Sequence, residues 1–253
     1  MARIVAIACL ALTFTSGCAA LRKQVCDFHA DPFSTATRSI VYVVDGAGNF
    51  QGTSQNLRAA VRAENAPVCV RTVEWQHGVY HILVDHVDNF RFRRAGKELA
   101  ERVMQTRAEV GPDVPIHIVG QSAGCAVVLE AMKALPCQMV DRVFLLAPTV
   151  CADYDLRPAL PCARQVDVYY SPEDTFILGV LTNMFGTSDR CWLSPPAGRV
   201  GFRIPDDPAA AADYCNLRQH CWHPEMKKVG YAGGHFGVNQ ASFLRTYVLP
   251  ELY

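Results

Sequence analysis

The chain has 253 residues, half of them apolar, and its 24 acidic and 24 basic side chains cancel to zero formal charge. That is enough apolar material for one well-buried domain, and a second full domain is not expected. Zero net charge and a pI near 7.0 argue against nucleic acid or another polyanion as partner, since those are held by basic patches that neutralise phosphate.

Residues 1–20 begin with one early cation, Arg3, continue through an apolar run over 4–14 too short to span a bilayer, and end in small residues. That order is the grammar of a secretory signal. Thr15-Ser16-Gly17-Cys18 resembles a bacterial lipoprotein cleavage box, in which the cysteine becomes the lipidated first residue. Such boxes usually carry leucine where Thr15 stands, and ordinary cleavage after Ala20 is the alternative. The expectation is a signal over 1–17 and an exported protein of the cell envelope, anchored to the membrane by acyl chains at Cys18 or otherwise periplasmic or secreted. Residues 18–38 are polar and turn-rich, a tether or N-terminal arm fastened by Cys26.

Without Cys9 and Cys18 nine cysteines remain, an odd set for a compartment where disulfides persist. Cys125, one turn into a helical pattern, is expected to stay unpaired as a small buried hydrophobe. Closeness in sequence favours Cys151 with Cys162 and Cys215 with Cys221.

From residue 39 the pattern becomes regular. Ser39-Ile40-Val41-Tyr42-Val43-Val44 is a continuous β-branched run, expected of a strand buried on both faces of a parallel sheet. Asp45-Gly46-Ala47-Gly48-Asn49 follows, and then a helical segment through Leu57, Ala60 and Val61. No nucleotide-binding glycine motif is completed there. Residues 70–75 read as a strand and 89–110 as a long amphipathic helix. In that helix Phe92, Gly96, Leu99 and Val103 form the buried side, and the Arg91-Phe92-Arg93-Arg94 cluster forms its solvated face. Further strands are expected at 142–147, 165–170 and 227–231, with a closing helix over 236–252. Strands alternating with helices imply a mostly parallel sheet covered on both sides.

Within this frame Ile116-His117-Ile118-Val119 breaks into Gly120-Gln121-Ser122-Ala123-Gly124 and then into a helical pattern through Cys125, Leu129, Met132 and Leu135. Strand, Gly-x-Ser-x-Gly and helix together read as a nucleophile elbow with Ser122 at its tip, where the turn leaves no room for side chains at Gly120 or Gly124. A serine hydroxyl needs a base to take its proton and an acid to hold that base. Asp174, after the strand ending at Tyr170, and His235, after the last expected strand, both fall at the carboxyl edge of the sheet. Glu173 is adjacent to Asp174 and could substitute for it. The other histidines, His77, His81, His86 and His117, show no ligand spacing, and His220-Cys221-Trp222-His223 lacks that of a usual zinc motif, so no metal is expected.

Serine, aspartate, histidine in that order, with the elbow, resembles the α/β-hydrolase superfamily over roughly residues 39–253. The resemblance implies that fold, Ser122 as nucleophile, His235 as general base and then acid, and Asp174 as its orienting partner. It also implies an oxyanion hole from the backbone N–H groups of Ala123 and Ala47, each such donor worth roughly 3 to 4 kcal/mol in the transition state. Asp45 stands where many relatives carry histidine. No cofactor is implied.

Sixty-one positions separate Asp174 from His235, room for an insertion at about 176–225 that holds Phe176, Leu178, Met184, Phe185 and Trp192. It reads as an apolar cover beside the site, or as an excursion packed on the sheet edge. The expectation is a serine hydrolase acting on a small-molecule carboxylic ester through an acyl-enzyme. Amide, thioester or lipid acyl substrates use the same triad, and a catalytically idle envelope protein that only binds is the alternative from another class.

Overall fold

The computed structural model describes residues 24–32, 36–181 and 185–253. The expected signal and the acylated Cys18 lie outside the described residues. Seven strands form one sheet: β1 (Asp27–Ala30), β2 (Ser39–Val44), β3 (Val68–Glu74), β4 (Ile116–Gln121), β5 (Val140–Leu146), β6 (Ala163–Tyr170) and β7 (Leu217–Cys221). Their spatial order is β1-β3-β2-β4-β5-β6-β7, parallel throughout except for β1 against β3.

β2 and β4 are buried along their whole length, which explains their unbroken apolar runs. Alternate residues serve the two layers. Ile40, Tyr42, Val44 and Ile118 pack toward α3 (Asn89–Val110) and α4 (Gly124–Ala134), whereas Val41, Val43, Val119 and Phe144 pack toward α1 (Gly52–Ala63) and the C-terminal helical turns through Phe243, Leu244 and Val248. Each fully buried side chain of this size contributes about 1.5–3 kcal/mol. The fold is therefore α/β, a mostly parallel sheet with helices on both faces, as expected. Helix α3 begins where the Asp88 carboxylate accepts the Arg91 N–H at 3.0 Å, and its buried side carries Phe92, Gly96, Leu99 and Val103.

The chain leaves β2 through α1 to β3 on one side, then returns past β2 through α2 (Ile82–Val87) and α3 to β4 on the other. Loops that follow β2 and β4 thus diverge, and a crevice opens at their carboxyl ends.

Several elements depart from expectation. Residues 227–231 are not a strand; Pro224–Val229 is a 3-10 helix with proline in its first turn, and Gly230 at φ 80° stops it. The last strand is instead β7, whose half-buried and exposed residues befit a polar sheet edge, so the excursion after Asp174 ends before Leu217. The closing helix is broken. A 3-10 turn at Gly237–Asn239 is followed by extended Gln240, a short turn of α-helix, a wide π-type turn at Leu244–Val248 and a last 3-10 turn with proline. The expected arm contains β1, and the Glu98 carboxylate takes the Val25 and Cys26 N–H groups at 2.9 and 2.8 Å.

Among the described residues all nine cysteines are free thiols. Cys215 lies in the turn ahead of β7 and Cys221 at its far end, with the strand's five extended residues, roughly 13 Å from end to end, between them, and the two form no bond. Cys151 lies against Cys191, not Cys162. Cys125 is buried as expected, its thiol directed at the Leu146 carbonyl at 3.8 Å.

Candidate active site

Ser122 sits between β4 and α4 at φ 53°, a left-handed conformation uncommon for a residue with a Cβ. The surroundings enforce it. The Ser122 N–H donates to Leu146 O at 2.9 Å, and its carbonyl accepts from Cys125 N–H at 3.1 Å. A Cβ at Gly124 would stand 2.3 Å from Val44 O and 2.6 Å from Asp45 O; one at Gly120 would meet Val128 Cγ2 at 2.8 Å. Both glycines are thus required by the approach of α4 to the ends of β2 and β4.

His235 and Asp174 meet Ser122 in a single row. His235 Nε2 is 2.8 Å from Ser122 Oγ, and His235 Nδ1 is 2.6 Å from Asp174 Oδ2. All three are buried, Ser122 the most accessible at 9%. The Asp174 backbone N–H donates to Ser171 O at 3.2 Å, and its second oxygen, Oδ1, accepts the Leu178 N–H at 3.3 Å. An ionised carboxylate only accepts, so Nδ1 carries the ring proton and Nε2 is left as acceptor for the serine hydroxyl. Glu173 is exposed and takes no part in the row.

The loop after β2 forms the facing wall. Gly46 N–H donates to Gln121 Oε1 at 3.2 Å and Gly48 N–H to Asp85 Oδ2 at 2.8 Å. Between them, the N–H of Ala47 has no protein acceptor among the described residues, and neither does that of Ala123. Trp75 Nε1 and Gln76 Nε2 hold the Asp45 carbonyl at 2.8 and 3.1 Å, and Gln76 Nε2 also holds that of Gly46. Arg91 in turn grips the carbonyls of Trp75 and Gln76, so this arginine does more than form a solvated face. The Asp45 carboxylate turns away to α1, accepting the Thr53 and Ser54 N–H groups at 2.7 and 3.3 Å. Burial pushes its pKa up, against the pull of those hydrogen bonds.

Above the row lies a cavity of about 540 Å³ with mainly apolar walls, among them Phe50, Ile82, Leu83, Ile177, Phe185 and Phe236, and with Gln121, Thr149 and His86 also on the lining. His86, which shows no ligand spacing, is a hydrogen-bonded structural residue that joins wall to body: Nε2 donates to Gly186 O at 2.9 Å, and burial lowers its pKa. Gln121, Gln76, Asp85 and Thr149 are supporting residues that sequence reasoning missed; only Gln121, inside the elbow motif, stood next to a signal. His220, considered for zinc, bonds Asp167 Oδ1 at 2.7 Å and stacks on Tyr169.

No family model matches this chain, and no curated protein sequence matches it. Solved structures do. Esterase PE8 aligns with a TM-score of 0.56 at 14% identity, over 90% of this chain and 99% of its own. Lipase BlEst2 of Bacillus licheniformis in its mature form gives 0.49 at 14% identity over 89% and 98%. A predicted CIB-like hydrolase from Thermoplasma acidophilum gives 0.48 at 12% over 87% and 92%. At 14% identity the likeness to esterase PE8 is one of architecture, and with the sheet order described above it gives this chain the α/β-hydrolase fold, a mostly parallel sheet with helices on both faces.

Proposed function

We propose that this protein is a serine hydrolase that cleaves carboxylic esters through an acyl-enzyme on Ser122. One observation carries the reading: a serine hydroxyl, an imidazole and a carboxylate hydrogen-bonded in series at 2.8 and 2.6 Å on the lining of an apolar cavity. That esterase PE8 shares the fold supports ester hydrolysis as the reaction class.

In this reading His235 Nε2 takes the proton of Ser122 as Oγ attacks the ester carbonyl, and Asp174 stabilises the imidazolium that forms. The N–H groups of Ala47 and Ala123 receive the developing oxyanion. His235 then gives its proton to the departing alcohol, leaving the acyl group on Ser122. Water, deprotonated by the same imidazole, attacks that acyl carbon; the acid departs and Ser122 regains its proton. The apolar cavity takes the acyl or aryl portion of the substrate, since it offers few groups to solvate a charge.

The test is covalent capture. A fluorophosphonate probe should modify Ser122, as mapped by peptide mass spectrometry, and the adduct should vanish in Ser122→Ala and His235→Ala. Hydrolysis of nitrophenyl esters should be lost in the same variants. A folded protein whose Ser122 stays unmodified, with no ester turned over, refutes the reading in favour of a binding protein.

A further inference from the structure

Between Asp174 and β7 the chain makes a tight turn at residues 187–191. Thr187 N–H donates to Cys191 O at 3.1 Å, and Cys191 N–H to Thr187 Oγ1 at 3.0 Å. This turn is fixed to the loop after β5 on both sides of Cys151. Ser188 N–H donates to Thr149 O at 3.0 Å, the Ser188 and Thr149 hydroxyls are bonded to each other, and Asp189 Oδ1 accepts the Cys151 N–H at 2.9 Å. Ala152 N–H donates to Pro195 O at 2.9 Å beyond them. Backbone bonds thus set the two thiols face to face, with Cys151 Sγ 2.8 Å from Cys191 Sγ, inside the contact distance of unbonded sulfurs. Shortening this to the roughly 2.05 Å of a sulfur–sulfur bond requires a movement of under an ångström.

We propose that Cys151 and Cys191 form a disulfide, a covalent clamp that holds the cover to the loop after β5 beside the cavity. The oxidant is a low-molecular-weight disulfide. Half-exposed Cys191 attacks one of its sulfurs as a thiolate, releasing the first small thiol and leaving a mixed disulfide. Cys151, buried at 3%, then attacks Sγ of Cys191 and releases the second small thiol. The two protons lost by the protein end on the two thiols released, and the two electrons of the new bond are balanced by reduction of the oxidant. Burial pushes the Cys151 thiol up to about 11, so the second step is carried by the 2.8 Å proximity of the two sulfurs and not by a ready thiolate.

The clamp joins two parts of the cavity lining. Phe185 and the Gly186 carbonyl that holds His86 lie on the cover side; Thr149, whose N–H reaches Ser122 O at 3.4 Å, lies on the body side.

The test uses the full chain incubated with oxidised glutathione, freed of excess, alkylated and digested without reductant. A cross-linked peptide containing Cys151 and Cys191, with both sites protected from alkylation, is expected, and reduction should lower the melting temperature by on the order of 10 °C for a loop of this length. Both cysteines fully alkylated in folded protein, or Cys191 bonded to any other cysteine, overturns the proposal. A second consequence rests on the ester-hydrolase reading: Cys191→Ser should lower kcat/KM several-fold more for long nitrophenyl esters than for short ones, and an equal effect on both overturns the clamp's influence on the cavity. Because the bond is read by mass, its failure is distinct from failure of fluorophosphonate capture.

Discussion

Replacing Asp174 with asparagine probes the hydrogen-bonded row where its geometry is most demanding. The carboxylate accepts twice, from His235 Nδ1 at 2.6 Å and from the Leu178 N–H at 3.3 Å. Asparagine has the same shape but a single acceptor, and the Leu178 N–H requires it. The side-chain NH2 is then turned toward His235, so Nδ1 must accept and the ring proton moves to Nε2. There it faces Ser122 Oγ at 2.8 Å and the imidazole can no longer take the serine's proton. The wrong tautomer at an orienting acid lowers kcat by ~10⁴-fold in serine hydrolases, which is about 5 kcal/mol of transition-state stabilisation. The assay is steady-state hydrolysis of a short nitrophenyl ester by wild type and Asp174→Asn, beside thermal melting of each. A loss below tenfold in a variant that melts like wild type would refute the assignment of Asp174, and Glu173→Gln would be the next variant to measure.

Other perturbations follow from the same geometry. Gly124→Ala places a Cβ 2.3 Å from a backbone oxygen of β2, and overpacking against main chain should cost about 3 kcal/mol by urea unfolding; Gly234→Ala, with nothing within 4 Å, is the neutral control, and equal effects would count against the argument. Burial holds His117 neutral and pushes its pKa down to about 4 from 6.5. The unfolded chain therefore binds its proton first as pH falls, so stability that is complete above pH ~6.5 is lost toward pH 4, by about 3 kcal/mol at most. His117→Leu should remove that part of the slope, and parallel curves for the two proteins would contradict it. Asp45 has the opposite sign: its folded form keeps the proton to higher pH than the unfolded chain, so its contribution is present at acid pH and declines as pH rises. Asp45→Asn, which keeps an acceptor for Thr53 and Ser54, should flatten the fall in stability above pH 4; a steeper fall would show the carboxylate to be favoured.

How much was legible depends on where each residue's partners lie. β2, β4, β5 and α3 announced themselves because burial on both faces, or on one helical stripe, writes a local pattern. β1 and β7 did not, since an edge strand is half-solvated and its composition resembles a loop. Lys227-Lys228-Val229-Gly230-Tyr231 looked like a strand through Val229 and Tyr231, yet Pro224 had already committed the backbone to a helical turn. Ser122 and Asp174 were readable because each follows a strand that the structure contains, whereas His235 was placed behind an expected strand that is a 3-10 helix and was reached through the order of serine, aspartate and histidine along the chain. Their support was not: Gln76 holds the carbonyl of Asp45, and His86 that of Gly186, across separations for which a single sequence leaves no trace. The cysteine pairing rested on closeness in sequence alone, and Cys151 meets Cys191, forty positions away.

The antiparallel sense of β1 decides from which side the protein can be held. Asp27 pairs with Glu74, at the carboxyl end of β3, so the polypeptide enters the sheet along the edge on which the cavity opens, two strands away from the β2–β4 crevice. The other terminus is at the opposite edge, where Glu251 meets Arg142 near the start of β5. A support coupled upstream of Gln24 therefore attaches at the sheet edge on which the cavity opens, and one coupled through the carboxyl terminus attaches at the opposite edge.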